Sequence, residues 1–74
     1  MARLPRVSGR QAVRAFERAG YEVRRQRGSH IALGKTGSPV TLSVPNHREV
    51  ATGTLRALIR KAGLTVDEFR ELLG

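Results

Sequence analysis

The apolar residues of this 74-residue chain change their spacing twice along the sequence. They recur first at helical intervals, then alternate with polar residues, and finally return to helical intervals. A helix brings side chains to one face roughly every 3.6 residues and a strand does so at every second residue, so each spacing excludes the other structure. The sequence therefore predicts helix, strands and helix in one small domain, residues 1–74, beginning with a short polar arm at Met1–Val7.

The first helix is predicted from about Gly9 to Ala19. Ser8 and Gln11 have the spacing of a capping box, and Gly20 is a natural left-handed stop. One helix face is apolar and another carries a row of arginines. The apolar face is formed by Ala12, Val13, Phe16 and Ala19. The row of arginines is formed by Arg10, Arg14 and Arg18. An ordinary solvated face would look the same, but the row has no matching acidic residues, which favours contact with phosphate.

Alternating residues predict three strands in the middle of the chain, Tyr21–Gln26, Ser29–Leu33 and Val40–Val44. Arg27-Gly28 is expected to form the first turn. Pro45 should end the third strand, because proline lacks the N–H that a sheet requires. In the first strand, Tyr21 and Val23 are expected to face the core.

The second strand contains Ile31 and Leu33 as its apolar residues. If these two face the core, His30 and Ala32 lie on the opposite face, because successive strand residues point to opposite sides. His30 would then stand at the end of a strand, on a face where a substrate could lie.

A second long helix is predicted to begin near Gly53-Thr54 and to end at Gly63. Its apolar face is formed by Leu55, Leu58, Ile59 and Ala62. Thr65 and Glu68 repeat the capping-box spacing, so a short C-terminal helix should follow. The expected fold class is α+β with the order α-β-β-β-α. A three-stranded antiparallel sheet should carry helices on one face, leaving the face with His30 open.

The chain is strongly basic, with a formal net charge of +8 and a sequence pI near 11.7. Residues 1–30 contribute +6, residues 31–63 contribute +4 and residues 64–74 contribute −2. Charge of this size on a small domain points first to nucleic acid. There is no cysteine, no apolar run of membrane-spanning length and no secretory signal, so the chain is expected in the cytoplasm without a membrane partner.

The segment Arg24–His30 is the densest group of chemically active residues. Arginine binds phosphate well, glycine lets backbone approach a ligand closely, and histidine can transfer a proton near neutral pH. The candidate nucleic-acid-binding residues are Arg24, Arg25, Arg27, Gly28 and Ser29, and the candidate catalytic residue is His30. A hairpin with solvated arginines and a surface histidine fits the same spacing.

Several short motifs follow one another in the chain. They are Gly20-Tyr21, Arg25-Gln26-Arg27-Gly28-Ser29-His30, Val44-Pro45-Asn46-His47, Gly53-Thr54-Leu55, Ala62-Gly63-Leu64-Thr65 and Glu68-Phe69. In this order they resemble the HicA family. The likeness covers nearly the whole chain, and its most specific parts are the Gly-Ser-His element and the Gly-Thr-Leu start of a helix.

The resemblance implies a toxin of a two-component toxin–antitoxin module. HicA proteins are small RNA-cleaving proteins with a double-stranded-RNA-binding-domain-like fold, and a HicB antitoxin keeps them silent. The implied activity is that of an endoribonuclease acting on mRNA, an mRNA interferase. The implied partners are therefore RNA and a HicB-like antitoxin protein, and the catalytic histidine of the family corresponds to His30.

The residue pattern itself disfavours a metal-dependent nuclease, because no acidic pair and no His/Asp cluster has the spacing of metal ligands. No metal and no other cofactor is expected. RNA carries its own nucleophile, the 2′-hydroxyl. A protein needs only to move that proton, stabilise charge on the phosphoryl oxygens and assist the leaving 5′-oxygen. His30 could transfer the proton, and the neighbouring arginines could bind the phosphate.

Two other functions fit parts of the sequence. A non-catalytic RNA-binding module would use His30 only as a contact residue. A DNA-binding helix-turn-helix is imitated by Leu55–Ala62 followed by Thr65–Leu73, but its reading helix would carry three acidic residues into the major groove. His47, just after the exit of the third strand, is expected to pin its loop, which is mainly a structural role; a catalytic role is the alternative, because loop residues often carry function.

Overall fold

The structure is a computed structural model that describes residues 3–74. Its elements, in order, are α1 (Gly9–Arg18), β1 (Glu22–Arg27), β2 (His30–Gly34), β3 (Thr41–Pro45), α2 (Thr52–Lys61) and α3 (Val66–Leu72). The strands form one antiparallel sheet in the order β1-β2-β3. The predicted α+β fold is confirmed. Each strand begins and ends one residue later than the alternation predicts.

The helix ends follow local sequence signals. Ser8–Gln11 and Thr65–Glu68 both form the predicted capping boxes, with side chain and backbone bonded in both directions. Gly20 has a φ of 102°. The N–H of Tyr21 then donates to the carbonyl of Phe16 at 3.0 Å, as in the Schellman motif that closes many helices. These local signals explain why α1 and α3 begin where the sequence predicts and why α1 ends before Gly20.

The hydrophobic core lies between the helices and one face of the sheet. Its centre is Phe16, whose ring centroid lies 6.3 Å from that of Tyr21 and 5.2 Å from that of Phe69. Aliphatic side chains supply the rest, as the scarcity of aromatic residues predicts. The largest fully buried side chains are Phe16, Phe69, Leu33, Leu42, Leu55, Ile59 and Val44.

The segment before α1 differs from the polar arm that the sequence predicts. Met1 and Ala2 lie outside the described residues, but Val7 is only 3% exposed and belongs to the core. Its carbonyl accepts a hydrogen bond from the N–H of Val50 at 2.8 Å. Burial of this apolar side chain anchors the segment to the loop before α2, so the expectation of a polar arm is wrong for Val7.

Candidate active site

The sheet has one covered face and one open face. Leu33, Leu42 and Val44 point toward the helices and are fully buried. The alternate residues of β2 and β3 remain exposed or half-buried on the open face: His30, Ala32, Gly34, Thr41 and Ser43. The prediction that His30 faces away from the core is therefore confirmed.

His30 is the first residue of β2 and pairs with Arg27 of β1 across a two-residue turn. Gly28 in this turn has a φ of 59°, whereas Ser29 does not have a positive φ, which is the pattern of a type II′ hairpin turn. Directly paired residues have their Cβ atoms about 4.5–5.5 Å apart. The turn therefore holds the Arg27 guanidinium group and the His30 imidazole on neighbouring positions of the open face.

The other two arginines owe their placement to a β-bulge in β1. Val23 and Arg25 pair with consecutive residues of β2, so Arg24 is an extra residue in the strand. In a regular strand, Val23, Arg25 and Arg27 would share one face. The bulge shifts the alternation, so that Val23 lies on the covered side while Arg25 and Arg27 lie on the open face.

Arg24 also lies on the open face, but at the opposite end of β1 from His30. A Cβ atom built on Gly34 would lie 3.0 Å from the Arg24 Nε atom, so the Arg24 side chain lies over Gly34. Its Nη2 atom lies 3.4 Å from the carboxylate of Glu22. Among residues 3–74, neither Arg25 nor Arg27 has such an ion pair. The structure thus brings Arg27 next to His30, places Arg25 two pairs further along, and directs the Arg24 side chain away from His30, over Gly34.

The loop after β3 closes the end of the site that contains His30. The N–H of Asn46 donates to the carbonyl of Ser29 at 2.5 Å, and the N–H of Gly9 donates to the carbonyl of His47 at 2.8 Å. A Cβ atom on Gly9 would lie only 2.3 Å from the Pro45 carbonyl oxygen. The start of α1 therefore packs directly on this loop. The sequence contains no sign of this contact, since Gly9 meets Pro45 and Asn46 only in the folded chain.

His47 takes part in this packing through its backbone. Its side chain is exposed and takes part in none of the side-chain hydrogen bonds within residues 3–74. The loop is held by the His47 carbonyl, which any residue would provide. The expectation that the histidine side chain pins the loop is therefore wrong.

The arginine row on α1 is divided between two roles. The Arg18 Nη1 atom donates to the carbonyl of Leu72 at 2.5 Å and so ties α1 to the end of α3. Arg10 and Arg14 are exposed and form no ion pair within residues 3–74. Only these two arginines of the row remain available for a ligand.

In residues 3–74, no three histidine, aspartate or glutamate side chains come together as a possible metal site. None of the helices in this part of the chain is both long and apolar enough to cross a bilayer.

These features define a small basic α+β domain with a histidine and arginines on the open face of its sheet. A family model described as "HicA toxin of bacterial toxin-antitoxin" matches residues 9–64, which is more than half of the chain. The chain therefore belongs to the HicA toxin family, and its partner is of the toxin–antitoxin kind. The matched region includes every candidate site residue from Arg24 to His30. No curated protein matches the chain.

Proposed function

We propose that the chain is an endoribonuclease toxin that cleaves mRNA with His30 as its proton-transfer residue, without a metal, and that a HicB-like antitoxin neutralises it. The observation that carries this proposal is the pairing of the exposed His30 with Arg27 on the open face of the sheet. Membership of a toxin family supports the same function.

The chemistry requires little more than these two side chains. The 2′-hydroxyl of RNA loses a proton to a base, its oxygen attacks the adjacent phosphorus, and the 5′-oxygen leaves after receiving a proton. The His30 imidazole can accept the first proton or donate the last. Arg27, which pairs with His30, would hold the phosphoryl oxygens by charge-assisted hydrogen bonds while negative charge develops on them.

The remaining candidate residues extend this site along the hairpin. Arg25 lies two pairs further along, on the same open face, and would hold a neighbouring phosphate, and Arg24 a more distant one. Gly28 and Ser29 form the turn beside His30, where exposed backbone can approach the RNA closely. An antitoxin that covers this basic face with acidic surface would exclude RNA and silence the toxin.

The test compares three purified variants on single-stranded RNA. His30→Ala and His30→Gln should each lose cleavage by a factor of about 10²–10⁴, the usual contribution of a general acid–base group. Both should keep the fold, because substitution of an exposed residue typically changes stability by only about 0.5 kcal/mol. His47→Ala is the matched control, since His47 is also exposed and its fold contact lies in the backbone.

Three results would contradict the mechanism. Cleavage by His30→Ala at the wild-type rate would leave a non-catalytic RNA-binding module as the better function. Loss of activity in EDTA would indicate a metal nuclease. Cleavage of a substrate with a 2′-deoxy sugar at the cut step would exclude the 2′-hydroxyl as nucleophile.

A further inference from the structure

A groove of about 250 Å³ lies between α1 and the edge strand β1, on the opposite side of the hairpin from His30. Val13 and Ile31 are buried side chains that line it. Val23 also lines it and is 46% exposed, although the bulge turns it toward the covered side of the sheet. Val23 therefore leaves apolar surface uncovered between α1 and β1. Val23 thus faces the helix side of the sheet, as predicted, but it is not part of the buried core.

The rim of the groove is polar and largely unengaged. Arg10 and Arg14 line it from α1 without an ion pair in residues 3–74. The Gln26 amide makes one long hydrogen bond, 3.4 Å from its Nε2 atom to the Gly28 carbonyl, which leaves its oxygen available. Asn46 is half-buried, and its side chain takes part in none of the side-chain hydrogen bonds within residues 3–74. Glu17 adds a single carboxylate on the helix side.

Size and chemistry together identify the class of ligand. The groove is smaller than the roughly 300–1,000 Å³ that holds drug-sized molecules, yet many times larger than the roughly 30 Å³ of one water. It suits one planar ring system with apolar faces and hydrogen-bonding edges. Unpaired RNA bases are such rings, and proteins bind them by stacking on guanidinium planes and by side-chain amides at their edges.

We propose that this groove binds one unpaired base of the RNA strand whose cleavage is proposed above, and that it thereby sets a base preference near the cut. The location supports this assignment. Gln26 pairs with Ile31, directly beside the pair formed by Arg27 and His30. Asn46 bonds to Ser29 in the turn at the same end of the hairpin. A strand that passes around this turn therefore has a base in the groove and a phosphate on the open face.

This arrangement restricts the substrate. A base within a duplex is stacked and paired, so it can enter the groove only after leaving the helix, which costs a few kcal/mol. Single-stranded RNA, or a loop, meets that requirement without the cost. The groove therefore favours unpaired RNA and fixes the distance between the recognised base and the cleaved phosphate.

The test digests a pool of random-sequence single-stranded RNA and sequences the cleaved ends. Wild-type protein should prefer one base by about fivefold or more at one fixed position near the cut. Val23→Trp fills the groove and should abolish the preference, and Gln26→Leu should change which base is preferred. Ala57→Trp, at an exposed position of α2 outside the groove, is the control and should leave the preference and the rate as in the wild type.

The outcomes separate this inference from the proposed function. Cleavage with equal use of all bases at every position, or a preference that survives Val23→Trp, would overturn the groove assignment while leaving the ribonuclease intact. If Val23→Trp instead weakens binding of the co-expressed antitoxin and leaves the base preference unchanged, the groove docks a protein and the assignment is wrong. Absence of cleavage by the wild type would contradict the ribonuclease. The RNA retained by the protein is then sequenced, and base enrichment that Val23→Trp removes supports the groove, whereas no enrichment overturns it.

Discussion

At the scale of single residues, Gly9 shows how little space the site leaves at its closed end. A side chain there would lie 2.3 Å from the Pro45 oxygen and 2.8 Å from the Cα atom of Asn46, both of which belong to the backbone. A backbone atom cannot swing away as the end of a flexible side chain can. The α1 helix and the loop after β3 approach each other this closely only because residue 9 has no Cβ atom.

Gly9→Ala is therefore expected to lower the free energy of unfolding by about 1–3 kcal/mol, the usual cost of forcing extra atoms into a packed site. Gly53→Ala is the matched control. Gly53 also lies in the first turn of a helix, but a Cβ atom there would have no neighbour within 4 Å. Gly53→Ala should raise the free energy of unfolding by up to about 1 kcal/mol, because alanine has a higher helix propensity than glycine. Urea unfolding measures both, and a shift of the same sign in both variants would contradict the close-approach argument.

The orientation of His30 could be predicted from sequence, whereas the role of Gly9 could not. The direction of a strand side chain follows from its immediate neighbours, and Ile31 and Leu33 leave His30 only the opposite face. The contact of Gly9 depends on residues more than thirty positions away, which meet it only in the folded chain. Its sequence context, a glycine after a capping serine, contains no sign of that contact.

At the scale of elements, the bulge in β1 decides which side chains reach the open face. Val23 is apolar while Arg25 and Arg27 are charged, yet regular alternation would place all three on one side. The extra residue Arg24 resolves this conflict by shifting the alternation by one. The conflict is visible in the sequence and is the signal that could have revealed the bulge. The exposure of Val23 beside a groove could not be predicted in the same way, because it also depends on where α1 lies.

Deletion of Arg24 is expected to remove the bulge without moving the site. The turn at Gly28 fixes the pairing of Arg27 with His30, and Val23 can keep its pairing with Leu33 when the extra residue is absent. The deletion should therefore bind RNA as well as Arg24→Ala does, since both lose the same guanidinium group. Fluorescence anisotropy with labelled RNA measures the binding. Much weaker binding by the deletion than by the substitution would show that the bulge itself shapes the RNA-binding face.

At the scale of the whole molecule, net positive and net negative charge lie in different parts of the sequence. The first thirty residues contribute +6 of the net +8, and the last eleven contribute −2. This asymmetry could be predicted from sequence because it needs no contacts. What the sequence could not predict is which arginines are engaged within the fold. Arg18 holds α3 and Arg24 pairs with Glu22, whereas Arg25 and Arg27 have no ion pair in residues 3–74.

RNA affinity should fall steeply as salt rises, because each bound arginine releases counterions from the RNA. For single strands the slope of log affinity against log salt is about −0.7 per phosphate neutralised. The measurement uses His30→Ala protein, which is expected to bind without cleaving. In that background, Arg27→Gln should make the slope shallower by about 0.7, whereas Arg70→Gln, which removes the same charge from α3, should leave it unchanged. Equal changes in both variants would mean that binding depends on the net charge and not on the open face. A flat affinity from low to physiological salt would remove the electrostatic basis of RNA binding altogether.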